Sequence, residues 1–216
     1  MIFFKSKKPV STEKTSESQG NIDLQIMNKM NQEFAISLDL NETLNTALQV
    51  IIERLNAQAA NIFLINNSTK KFECIASLNQ DYLDEYQLDL KDGVMGKAAE
   101  QRKCIRVGDV RKDVREIAEF YFDLDNKTNF TTFSVLCSPL IAANDCIGVI
   151  HCLNKKTDDK LFIEDDRKLL ELLSTPAALA IRNAKMAKDM VEQNKIQKEV
   201  EIVGEIQKSL LSANKK

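Results

Sequence analysis

Apolar and polar residues change rhythm several times along this chain, and each change marks an element. Residues 133–141 and 146–153 are two apolar runs with Ala143-Asn144-Asp145 between them. Such runs, rich in β-branched residues and joined by turn formers, predict a β-hairpin. Both runs are too apolar for strands with one wet face, so both faces are expected to be covered. From Phe162 onward Leu169, Leu170, Leu173, Ala177, Ala180, Ile181 and Ala184 recur at helical spacing. A helix therefore follows the hairpin and covers one face of its sheet.

Upstream, residues 39–41 offer an N-cap, and Leu44, Leu48, Ile51, Ile52 and Leu55 follow at helical spacing. Residues 59–65 read as a buried strand, 66–70 as turn chemistry, and 71–77 as its partner strand, with Phe72, Cys74 and Ala76 on one face. Residues 82–90 form a connector ending in a short strand. After Lys91-Asp92-Gly93 come a short helix over 94–101, a strand over 104–107 and a helix over 114–122. Residues 123–132 are polar and read as a loop into the hairpin.

The first 20 residues lack periodicity and are expected to be disordered. Ile22, Ile26, Met30 and Phe34 predict an amphipathic helix over 21–38. The order of elements implies an α+β domain over 39–187, a central antiparallel sheet with helices on both faces.

Past Asn183 the helical pattern continues while its apolar positions thin to Ala187, Val191, Ile196, Val200, Val203, Ile206 and Leu210. A narrow stripe on a long polar helix predicts a coiled-coil seam, so 188–216 reads as a dimeric linker to an output domain. Pro176 is expected to bend the helix while it still lies on the sheet.

Composition trims the functional classes. The 216 residues carry 30 basic and 32 acidic side chains, a net charge of -2, so no whole-chain field recruits nucleic acid or anionic lipid. No apolar run is long enough to span a bilayer. The first eight residues have their charges after the apolar ones, the reverse of a secretory signal, so a cytoplasmic protein is expected. Cys74, Cys104, Cys137, Cys146 and Cys152 lack a CxxC pair and read as buried free thiols. The single histidine, His151, falls inside the second hairpin strand and reads as a core or surface residue; a metal site is not expected. No nucleophile–base pair or phosphate loop stands out, so no catalytic residue and no cofactor are expected.

Several blocks together resemble a GAF domain, a small-molecule sensor module of signalling proteins. They are Asp92-Gly93-Val94-Met95-Gly96, Gly108-Asp109-Val110, 134–140, Ile147-Gly148-Val149-Ile150 and 177–184. Within that family the chain is most similar to the cyclic-nucleotide-binding GAF domains of phosphodiesterases. Their Asn-Lys, Phe, Asp motif is matched by Asn154, Lys155, Phe162 and Asp166, with Arg167 in place of a Glu. The resemblance implies that Lys155 and Asp166 pair and hold a lid without touching ligand.

It also implies a ligand site for cAMP or cGMP. Tyr121, Asp125, Thr128 and Thr132 fall where the family lines its pocket over the cyclic phosphate and ribose. Val94 and Met95 match the pair whose backbone N–H groups approach the phosphate. Asn61 matches a position at the base end, and Ser77-Leu78 stand where relatives often place an aromatic residue. The chemistry is coherent, since one small anion needs only N–H and O–H donors, and a helix start after Gly93 offers N–H groups.

The tail, Glu205-Ile206-Gln207-Lys208-Ser209-Leu210-Leu211, resembles the linker before bacterial PP2C-type serine phosphatases that regulate sigma factors. That association sets cAMP slightly ahead of cGMP. The readings that follow are a cyclic-nucleotide sensor dimerising through its terminal helices, a ligand-free GAF dimer platform, and the sensor of a diguanylate cyclase.

Overall fold

A computed structural model describes residues 40–79, 87–113 and 115–213. The expected disorder of the first 20 residues, the expected helix over 21–38, the expected N-cap at Asp39 and most of the expected 82–90 connector lie outside the described residues. The elements are α1 (Leu40–Leu55), β1 (Ala57–Asn66), β2 (Lys71–Leu78), β3 (Gln87–Asp89), α2 (Gly93–Gln101), β4 (Ile105–Val107), α3 (Arg115–Thr128), β5 (Val135–Ala142), β6 (Asp145–Lys155) and α4 (Glu164–Ala213). The strands form one six-stranded sheet in the order β3-β2-β1-β6-β5-β4, and every neighbouring pair is antiparallel.

Strand alternation splits the core into two layers. Ala60, Ile62 and Leu64 of β1, Leu136 and Leu140 of β5, and Ile150 and Cys152 of β6 meet α1 and the first turns of α4. The opposite face carries Phe63, Phe72, Cys137, Val149 and Leu153, and is covered by Val94, Met95 and Ala98 of α2 and Ile117, Tyr121 and Leu124 of α3. The expected α+β sheet with helices on both faces is thus the observed fold.

Two boundaries differ from the sequence reading. The β5–β6 turn is Ala143-Asn144, both at positive φ, and Asp145 already pairs with Ala142 as a strand residue. A two-residue turn with positive φ at both positions matches the twist of its strands. The helix expected to stop at 122 runs to Thr128. Its polar residues misled because they line an exposed face, whereas Ile117, Tyr121, Leu124 and Thr128 are buried at helical spacing. Asn129 at φ 49 then ends it.

Pro176 sits inside α4 without ending it. Ala184 is the last buried residue of that helix among those whose side chains are described. The remaining 29 or so residues extend about 40 Å at 1.5 Å each. No helix among the described residues is long and apolar enough to cross a membrane.

Candidate functional site

The face of the sheet under α3 carries a row of polar side chains. Register places Ser77 of β2 opposite Asn61 of β1, Asn61 opposite His151 of β6, and His151 opposite Cys137 of β5. Ser77 Oγ donates to Asn61 Oδ1 at 2.7 Å. His151 is wholly buried and its Nε2 lies 2.8 Å from the Tyr121 hydroxyl. The two rings stack, centroids 5.8 Å apart at 16°, and Phe63 meets the imidazole edge-on.

His151 Nδ1 has no hydrogen-bond partner, the one buried side-chain nitrogen or oxygen so placed among the described residues. Burial pulls the imidazole pKa down to about 3, so the ring is neutral at physiological pH. A neutral ring has one N–H and one lone pair, so Nδ1 is either a donor without acceptor or the reverse. An orphan of that kind costs about 1–3 kcal/mol. The sequence placed His151 inside the second hairpin strand as a core or surface residue; it lies in the core, but its bond to Tyr121 had no signal in the sequence.

The roof is α3 and the loop after it. Asp125 accepts from Thr132 twice, from the backbone N–H at 2.7 Å and from Oγ1 at 2.6 Å. Burial raises the Asp125 carboxyl above the usual range, against the downward pull of those bonds and of Arg111. Asn154, at φ 54, fastens the loop from behind. Its Oδ1 accepts from Phe133 N at 2.7 Å and Ser134 N at 3.2 Å, and its Nδ2 donates to Thr131 O and Gln58 Oε1.

A cavity of about 720 Å³ opens beside α3, with Tyr121, Asp125, Thr132, Val110 and Arg111 among its walls. Three of the nine expected ligand residues meet there. Asn61 and Ser77 lie in the sheet floor, off the cavity wall. Val94 and Met95 are wholly buried in the first turn of α2, where the Phe120 ring lies against Gly93. A Cβ on Gly93 would stand 2.8 Å from that ring, so α3 packs closely on the start of α2 at this point. Thr128 Oγ1 donates back to Leu124 O within α3 and is buried. Leu78 packs on the α1 and α4 side of the sheet, the face opposite Ser77, because successive strand residues point to opposite faces. It is therefore no wall for a base on the α3 side. Arg111, a cation on the cavity wall, was missed because it lies in a loop without periodicity.

The Asn-Lys, Phe, Asp motif is a brace. Lys155 Nζ pairs with Asp166 Oδ1, and both side chains are largely buried. Asp166 Oδ2 also accepts from Ile163 N at 2.8 Å, satisfying a free N–H at the start of α4. Phe162 fills the α1 layer, and its carbonyl accepts from Arg106. Arg167, where the family has Glu, bonds Glu164 and Glu171 along the helix. Asp166→Asn is expected to lower unfolding free energy by about 2 kcal/mol, since it leaves the Lys155 ammonium half-buried and unpaired. Urea titration checks it, and a loss under about 0.5 kcal/mol would reduce the pair to a surface contact.

Burial also raises the thiols of Cys104, to about 12, and of Cys137 and Cys152, which keeps them protonated at neutral pH. Among the described residues no group of three or more His, Cys, Asp and Glu is placed to hold a metal.

The sequence model of the family described as "GAF domain" matches residues 37–182. The chain is 27% identical over 137 residues, 63% of its length, to a probable 3′,5′-cyclic phosphodiesterase of Caenorhabditis elegans. It is 32% identical over 103 residues, 47% of its length, to a dual 3′,5′-cyclic-AMP and -GMP phosphodiesterase 11A of Takifugu rubripes. It spans 18% and 11% of those proteins. Among solved structures, the GAF domain of a Coxiella burnetii phosphoenolpyruvate-protein phosphotransferase superposes with TM-score 0.64 at 17% identity, covering 77% of this chain and 96% of that one. A free methionine-R-sulfoxide reductase from Neisseria meningitidis gives 0.60 at 17%, covering 87% and 98%. These two likenesses establish the fold.

Proposed function

We propose that this chain, which belongs to the GAF domain family by the match over residues 37–182, is a regulatory sensor that binds a cyclic nucleotide beside α3 and passes the event to α4. The observation that carries this reading is the convergence of Tyr121, Asp125 and Thr132 on one cavity, with the Arg111 guanidinium on the same wall. A cyclic phosphodiester bears one negative charge, which the Arg111 guanidinium can meet, against the carboxylates of Glu119, Asp123 and Asp125 on the same wall. The named activities of the two phosphodiesterase relatives support the ligand class.

In the structure Tyr121 lies over His151 and fills the space between α3 and the floor. Ligand that reaches Asn61 and Ser77 must turn Tyr121 away, and then a ligand donor or acceptor replaces it at His151. Such binding favours a state in which α3 sits differently, and only that difference in affinity can drive a signal. Isothermal titration with cAMP and cGMP decides the matter, cAMP being set first; absence of heat from both at high protein concentration removes the ligand reading. Thr132→Ala is expected to weaken binding by about 1–3 kcal/mol, because Asp125 loses one of the two donors that orient it. Unchanged affinity would take Thr132 out of the site.

The exposed apolar residues Val191, Ile196, Val200, Val203 and Ile206 of α4 support dimerisation through that helix. On this proposal the output is a PP2C-type phosphatase domain of a longer chain, with a diguanylate cyclase domain as the alternative. A second reading is a ligand-free dimer platform. It draws on the same Tyr121 and His151 packing, which fills the interior with the chain's own side chains. Analytical ultracentrifugation separates the two: the platform dimerises without responding to either nucleotide.

A further inference from the structure

We propose a second binding site, for a small phosphate-bearing anion, in the hollow beside the β5–β6 turn. This cavity of about 540 Å³ brings together Arg102, Arg182 and Lys185, with Ile147 and Ile181 in its apolar wall. It shares no described wall residue with the cavity beside α3. Arg102 is the C-cap of α2. Arg182 and Lys185 stand three residues apart on α4 and so share a helix face.

Two elements far apart in sequence thus aim three cations at one space. Among the described residues none of the three has an ion-pair partner. Asp145 stands on the same wall without pairing to any of them. Three cations and one carboxylate leave a local surplus of two positive charges in a chain whose net charge is -2. That surplus equals the charge of a phosphate monoester dianion.

The chemistry favours phosphate over a monovalent anion. Guanidinium groups present paired N–H donors that match two oxygens of one phosphate, and the lysine adds a point charge. Ile181 is wholly buried and, among the described side chains, Ala184 is the last buried one of α4. The cations therefore mark the place where α4 leaves the body, and an anion there ties it to the end of α2 and to the hairpin.

The test uses inorganic pyrophosphate on the full chain, read by titration calorimetry. Saturable one-to-one binding is expected, at least tenfold weaker in the Arg102→Gln/Arg182→Gln double variant. Lys188→Gln, an exposed change further along α4, should leave it unaltered. The Arg102 and Arg182 side-chain N–H resonances should shift on addition of pyrophosphate in the unmodified protein, which keeps the test independent of how the variants fold. No saturable heat at millimolar pyrophosphate, or equal weakening by Lys188→Gln, overturns the site. Nucleotide binding beside α3 should be the same in the double variant, so failure here and failure of the sensor reading are told apart.

Discussion

Gly148→Ala lowers the unfolding free energy by about 3 kcal/mol or more, the expected result of forcing one methyl group between paired strands. Gly148 sits in β6 at the centre of the sheet, opposite Leu64 of β1 and Leu140 of β5. A Cβ built there would stand 2.1 Å from the Phe63 carbonyl oxygen and 2.9 Å from Leu64 Cα. Both are backbone atoms of the neighbouring strand, so no rotamer change relieves the overlap. The strands must part locally, and the β1–β6 ladder joins the two hairpins of the fold. Parting them also disturbs Phe63, which supports His151 from the side. Gly108→Ala is the natural control, since an added Cβ there meets only Leu161 Cδ2 at 3.8 Å. Thermal unfolding reads the contrast as a drop of roughly 6–12 °C for Gly148→Ala at 2–4 °C per kcal/mol. A shift within 2 °C of the control would mean that the sheet absorbs the methyl group by a slide of the register.

Much of this architecture was legible because burial writes a period into the sequence. The hairpin showed in the double-faced apolarity of β5 and β6, and α1 in Leu44, Leu48, Ile51 and Leu55. What escaped was hidden by exposure or by a change of partner. The end of α3 was read as loop because Asp123, Asp125 and Asn126 look like turn chemistry, although Leu124 and Thr128 keep the helical period between them. Asp125 and Thr132 were singled out as ligand residues, yet their bonds to each other arise only once α3 continues far enough to bring them together. Leu78 was placed beside Ser77 in a ligand wall, and the two-residue period of a strand forbids that pairing. The Asn154, Lys155, Phe162, Asp166 motif, whose expected Lys155–Asp166 pair is present, was legible through the resemblance to the GAF family. His151 was not, since nothing in the linear chain says that Tyr121 will lie over it.

His151 sets the second large effect, an acid limb in stability. The folded ring has its pKa pulled to about 3 by burial, against about 6.5 in the unfolded chain. Between those values the unfolded state holds one more proton than the native state. Unfolding free energy therefore rises with pH through this window and falls as pH drops below 6.5, by about 1.4 kcal/mol per unit. From pH 6.5 to 4.5 the loss through His151 is about 2 kcal/mol, and above pH 7 the contribution is flat. Asp125 acts with the opposite sign: its raised folded pKa means that the native state holds the extra proton, so its share of stability falls as pH rises through that value. The carboxylates Asp109, Asp159 and Glu164 have pKa values lowered chiefly by side-chain hydrogen bonds, so their share of stability also falls as pH drops, equally in both proteins compared below. Subtracting a His151→Gln variant isolates the ring, because glutamine keeps a neutral polar group beside Tyr121 and takes up no proton. Urea midpoints of the two proteins at half-unit steps from pH 7.5 to 4.5 should diverge below 6.5, the parent falling faster. Parallel curves would mean that water reaches the imidazole and that Nδ1 is solvated. A ligand that satisfies Nδ1 must bind the neutral ring, so its affinity should stay level from pH 7 upward, where both folded and unfolded imidazoles are uncharged.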